Sequence, residues 1–128
     1  MNILTGIQPS GSLHIGNYFG SIKPLIQLQN NLNVNDSLFA FIASYHALTS
    51  TKDKTQLKQN ITDIATAFLS FGLNPDRVYF YRQDSVKQCL ELYWILQTLT
   101  PMALLQRAHS YKDKIAKNIS ANNGLFSY

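Results

Sequence analysis

His14 and Asn17 set an imidazole and a carboxamide three positions apart, in the stretch GIQPSGSLHIGNYFG that runs from Gly6 to Gly20. If a helix starts there, the two side chains can point the same way, and the helix N-terminus adds its own unpaired N–H groups. His14 would then donate to phosphate oxygens as negative charge builds on them. Gly16, between the two, lets a flat ligand approach the backbone. Four of the six glycines fall in this stretch, at 6, 11, 16 and 20. That spacing is not the G-x-G-x-x-G of a dinucleotide site. It is not a phosphate loop either: Gly6 and Gly11 are correctly spaced, but Ser12 stands where that loop needs lysine. Taken alone, the stretch is either a nucleotide site or a tight turn.

The elements that must position these residues alternate. NILTGI is a short apolar run ended by Gly and Pro, read as a buried strand, and a helix follows over about 16–29 with Pro24 kinking it or starting it. SLFAFIAS, 37–44, reads as a second strand covered on both faces. Leu57, Ile61, Ile64, Ala65, Phe68 and Phe71 recur at helical spacing, with Gly72 where a C-cap belongs. RVYFYR, 77–82, follows the turn at Asn74-Pro75 as a third strand. The segment 86–99 is apolar round most of a helix, which predicts burial on more than one side, with Tyr93 and Trp94 in the core and a partner covering one face. This order predicts an α/β fold, a parallel sheet with right-handed crossovers, and ligands bind beyond the carboxyl ends of such strands.

The 128 residues are 45% hydrophobic and only 14% charged, which suits one folded unit with a polar surface. Eleven Lys and Arg against seven Asp and Glu give a formal charge of +4, a mild bias toward anionic partners. Cys89 has no second cysteine to pair with, so a reducing, cytoplasmic setting is expected, with this thiol buried. No run of apolar residues approaches the roughly 18 of a membrane span, and the N-terminus does not read as a secretion signal.

The segment SLHIGN resembles the His-Ile-Gly-His signature of class I aminoacyl-tRNA synthetases, and GIQPSGSLHIGNY is similar to its tryptophanyl form. FIASYHALT resembles the second-strand segment of that family, which ends His-Ala-Ile-Thr, and RAHSYKDK and NNGLFSY resemble two later stretches in the same order. The resemblance implies a Rossmann-like doubly wound parallel sheet, truncated here, with 1–128 the N-terminal part of the catalytic domain and the helical anticodon-binding domain outside it. It implies ATP-dependent activation of tryptophan to an adenylate and its transfer to tRNA(Trp), by a homodimer, with Mg2+ accompanying the nucleotide. By position, Gln8, Pro9, Ser10, Gly16 and Asn17 would line the ATP site. His14, Asn17 and Lys112 would act on the phosphates, while Leu4, Gly6, His46 and Tyr128 would hold tryptophan.

The chain departs from the family at two places: His14 stands where tryptophanyl members have Thr or Ser, and Ser44 replaces an Asp two residues before His46. Asn17 stands where the related nucleotidyltransferases usually have a second histidine. The family's Lys-Met-Ser-Lys-Ser loop has no counterpart in the 128 residues, so the chain by itself is expected to form no adenylate at an appreciable rate. Outside the resemblance, His46 reads first as a core histidine, Lys112, Lys114 and Lys117 most simply as a solvated face, and Arg107 equally as a surface ion pair or as a contact to the site or the tRNA. A related nucleotidyltransferase and a silent nucleotide-binding fragment are the alternative functions.

Overall fold

The apolar runs form three parallel strands, β1 (Asn2–Ile7), β2 (Ser37–Ile42) and β3 (Tyr79–Arg82), paired in the order β1-β2-β3. The architecture is a truncated Rossmann-like α/β fold, seen in a computed structural model that describes residues 1–107, Lys112 and 123–126. The chain divides into two units, Met1–Ser85 and Val86–Tyr128.

In the first unit, one face of the sheet makes the core. Leu38, Ala40 and Ile42 are buried there with Ile22, Leu25, Ile64, Phe68, Leu73 and Val78, and Ile3, Ile7 and Phe80 pack against them. Each fully buried aliphatic or Phe side chain contributes about 1.5–3 kcal/mol. The other face carries Leu4, Phe39, Phe41, Tyr79 and Tyr81. Register puts Phe39 opposite Tyr79 and Phe41 opposite Tyr81, and the rings stack with centroids 4.7 and 5.9 Å apart. The Phe41 ring also lies over Gly6, whose absent Cβ would come within 2.6 Å of it.

Two strand expectations need correction. β1 is an edge strand with Asn2, Leu4 and Gly6 exposed, and β2 is fully buried only at alternate residues. An unbroken apolar run therefore does not mean two covered faces here. Its second face is aromatic and half-exposed.

The helix after β1 runs in three parts: α1 (Ile15–Asn17), a π-helical turn (Tyr18–Ile22) and α2 (Lys23–Asn30). Pro24 sits in the first turn of α2, where its missing N–H costs least, and the wider turn before it is closed by Lys23 N–H donating to the Tyr18 carbonyl. Buried Gln29 then ties α2 to the loop before β3: it donates to the Gly72 carbonyl and accepts the Asn74 N–H.

After the short α3 (Ser44–Ala47), α4 (Lys54–Ser70) is capped at both ends. Asp53 accepts the Gln56 N–H at its start. At its end Gly72 adopts φ +102°, while Leu73 N–H bonds the Phe68 carbonyl and Gly72 N–H bonds that of Leu69. That is the Schellman arrangement expected of a glycine in this place. Phe71, expected on the buried stripe, is 53% exposed and instead packs beside Tyr18. At the amino ends of β1 and β2, the N-terminal ammonium and Asn33 bind the Asp36 carboxylate and lower its pKa to about 2.

The second unit contains α5 (Gln88–Leu99), α6 (Met102–Leu105) and α7 (Asn123–Phe126). No residue of α5 is buried: Trp94 is 70% exposed, Tyr93 43%, and Cys89 is exposed as well. The expected burial of this helix and of its thiol is thus not realised, because an apolar circumference is covered only where other chain packs on every side. Arg107 donates to the Ala103 carbonyl of its own turn. Lys114, Lys117 and Tyr128 lie outside the described residues.

Candidate functional site

β1 delivers its last residues to a loop, 8–14, that turns back into α1. Gly11 takes φ +152° there with open space around it, and Ser10 N–H closes onto the Gln8 carbonyl at 3.0 Å. The loop is anchored from beneath. Pro9 is fully buried and its carbonyl accepts the amide of Asn60, a residue of α4 that is itself buried and held by Gln56. Gln8 reaches across to the His46 carbonyl at 3.3 Å.

His14 is the N-cap of α1. Its Nδ1 accepts the Gly16 N–H at 3.1 Å, while its own N–H donates to Asn17 Oδ1 at 2.9 Å. This reciprocal cap satisfies N–H groups that a helix start otherwise leaves unpaired. It also settles what the two side chains can offer a ligand. Nδ1 is an acceptor, so the neutral ring carries its proton on Nε2, and Asn17 keeps its two amide N–H donors. Both acceptors are committed to the backbone and both remaining groups donate. Gly16 is required for this: a Cβ would lie 2.9 Å from the imidazole, so the space over it is filled by His14 rather than open. Gly20, by contrast, has nothing within 4 Å of its absent Cβ, so no close contact requires a glycine there.

Beside this turn lies a cleft of about 420 Å³, lined by Thr5, Gly6, Ile7 and Gln8 from β1 and by Gly16, Asn17, Gly20, Ser21, Pro24, Leu25 and Leu28 from the helix. Its size is that of a small-molecule site. Of the residues singled out in the sequence, Gly6, Gln8, Gly16 and Asn17 line it. Pro9 is buried behind the loop, Ser10 is exposed on it, and Leu4, 66% exposed, lies on the aromatic face of the sheet. Lys112, in the second unit, is exposed.

A second polar group gathers at the carboxyl ends of β2 and β3. His46 is half-buried, and its Nδ1 meets Gln83 Oε1 at 2.9 Å. The same oxygen accepts the Tyr45 N–H at 3.2 Å, which identifies it as the carbonyl end of the amide and makes His46 Nδ1 the donor. Ser44 donates to Asp84 Oδ1 at 2.6 Å, and Arg82 pairs with Oδ2 at 2.8 Å. The turn after β3 thus brings the Asp84 carboxylate to Ser44. Sequence reading missed Asn60, Gln83 and Asp84. The signal available for the last two was their place directly after the third strand, where ligands of parallel sheets bind.

A nucleotide-compatible turn at the first strand of a parallel α/β sheet defines a class, and comparison with known proteins agrees with it. The chain belongs to the class I tRNA synthetases of the tryptophan and tyrosine group, whose family model matches residues 1–128. Among individual proteins, it is 56% identical over all 128 residues to the tryptophan–tRNA ligase of Campylobacter jejuni. It superposes on the crystal structure of that organism's tryptophanyl-tRNA synthetase complexed with ADP and tryptophan with a TM-score of 0.89, covering 100% of this chain and 39% of the other. The Mycoplasma pneumoniae tryptophanyl-tRNA synthetase gives a TM-score of 0.84 at 32% identity, with 99% of this chain and 36% of that one covered. The chain spans 39% of the length of its Campylobacter relative.

Proposed function

We propose that the protein carrying this chain activates L-tryptophan with ATP and transfers it to tRNA(Trp), with residues 1–128 forming the N-terminal part of its Rossmann-like catalytic domain. The observation that carries this reading is the cap of α1, which turns His14 and Asn17 into a donor-only pair beside the cleft. In the reaction, a tryptophan carboxylate oxygen attacks the α-phosphorus, the bond to the bridging oxygen of the β-phosphate breaks, and pyrophosphate leaves. Negative charge grows on the phosphate oxygens, and donors fixed in advance stabilise it more than mobile water does. His14 Nε2–H and Asn17 Nδ2–H supply such donors, and the family resemblance assigns Lys112 a role on the phosphates as well.

The family resemblance assigns Gln8, Pro9, Ser10 and Gly16 to ATP, and Leu4, Gly6, His46 and Tyr128 to tryptophan. Mg2+ enters with ATP, on its phosphate oxygens; among the described residues no three His, Cys, Asp or Glu gather to hold a metal. The bound ADP and tryptophan of the Campylobacter homologue support this choice of substrates. The exposed apolar side chains of α5 support a homodimer. A single cysteine fits a cytoplasmic setting, and no helix among the described residues is long and apolar enough to cross a membrane. The test is ATP–pyrophosphate exchange by the full-length protein: tryptophan is expected to drive it and tyrosine is not. Exchange driven by tyrosine, or by neither, would overturn the reading.

A further inference from the structure

The hydrogen bonds at the ends of β2 and β3 join two short runs of consecutive residues. Two consecutive side chains after β3, Gln83 and Asp84, hold three consecutive residues after β2, Ser44, Tyr45 and His46. The turn is also tied through its backbone, where Ala43 N–H bonds the Ile7 carbonyl and Gln8 bonds the His46 carbonyl. But α3 has no side-chain cap, and it is Asp84 and Gln83 that engage the Ser44 hydroxyl and His46 Nδ1. The Ser44–Asp84 contact is the tightest of the set. Ser44 is 5% exposed, its hydroxyl donates at 2.6 Å, and its oxygen accepts the Asp84 N–H at 3.1 Å. An O–H donating to a carboxylate at that length is a charge-assisted bond, about twice as strong as a neutral one. The second carboxylate oxygen accepts from Arg82, so both oxygens are engaged.

We propose that Asp84 is a positioning residue for the amino-acid pocket: through Ser44 it fixes the turn that carries His46, and the hydroxyl and carboxylate work as an exchangeable pair. This rests on the tryptophan-activation reading above. One side must supply the O–H and the other the carboxylate. Ser44→Asp alone sets two carboxylates against each other, and Asp84→Ser alone takes the counter-charge from Arg82. Making both changes returns one donor and one acceptor to the same place.

The experiment uses the full-length protein and steady-state pyrophosphate exchange. S44D and D84S are each expected to raise the KM for tryptophan about tenfold while moving the KM for ATP less than about twofold, and the S44D/D84S double variant to return within about threefold of wild type. A pair that only stabilises the fold lowers the active fraction, and so kcat, without this split between the two substrates. If S44D does not fold, Asp84→Asn keeps the shape, removes the charge and gives the same KM reading. An unchanged tryptophan KM in the single variants, or a double variant no better than the worse single, overturns the proposal. A wild type whose exchange ignores tryptophan overturns the functional reading, and with it the pocket that Asp84 serves.

Discussion

The two histidines at the site are held in opposite ways. His14 is held by its own turn, through Gly16 and Asn17 within three residues of it, and its Nδ1 accepts. His46 is held from another strand, by Gln83 at a separation of 37 residues, and its Nδ1 donates. Their neutral rings therefore carry the proton on different nitrogens. The first presents an N–H at Nε2, suited to an anion, and the second has its N–H engaged by a fixed amide. Local chain makes the turn at His14, and the packing of the sheet makes the cluster at His46.

The largest expected effect lies on the local side. His14→Ala in the full-length protein should reduce kcat for pyrophosphate exchange by about 10²–10³, the usual loss for one preorganised donor at developing charge. A smaller loss would mean the ring only caps the helix. Gly16→Ala is next: a methyl 2.9 Å from the imidazole must displace it, so both the cap, worth about 1 kcal/mol, and much of the activity should go together. Thermal melts and exchange rates on the same variant check that they do.

On the long-range side the main readout is stability. Gln83→Leu leaves the Tyr45 N–H and the His46 ring without their shared acceptor, and the full-length protein should lose about 1–3 kcal/mol in denaturant unfolding. If kcat falls as steeply as for His14→Ala, the contrast between the two histidines fails. Asn60→Ala, which frees the Pro9 carbonyl, is expected to cost a similar or smaller amount and to raise the KM for ATP, because it loosens the loop rather than the turn. The smallest effect is remote from both. The Asp36 carboxyl is lowered from 3.8 to about 2, chiefly by the N-terminal ammonium, so its stabilisation is complete above pH 4 and is lost as the pH falls from about 4 to about 2. Asp36→Asn should flatten the stability profile in that window alone.

The same division explains what could be read from the sequence. The turn 6–17, the cap at Gly72 and the parallel order of strands depend on residues close together in the chain, or on a period that packing enforces. Gln83, Asp84 and Asn60 do not. Each is a common polar residue whose role appears only when the sheet or α4 brings it beside a distant backbone group. The burial of α5 was misread for a related reason: periodicity reports which faces are apolar, not how much chain is there to cover them. The aromatic face of the sheet escaped notice because Phe39 and Phe41 sit in a run whose other members are buried.

The π-helical turn at Tyr18–Ile22 has a consequence for how far the signature can drift. It holds one residue more than an α-turn would, which amounts to about 100° of rotation between the residues before it and those after it. Gly16 and Asn17, before it, line the cleft together with Pro24, Leu25 and Leu28, after it, and Leu25 also reaches the core. Deleting a single residue from 18–21 would leave every motif residue in place and every core residue apolar, yet turn the signature away from the cleft. In this stretch the spacing between motif and core is therefore itself a constraint, and substitutions are tolerated where length changes are not.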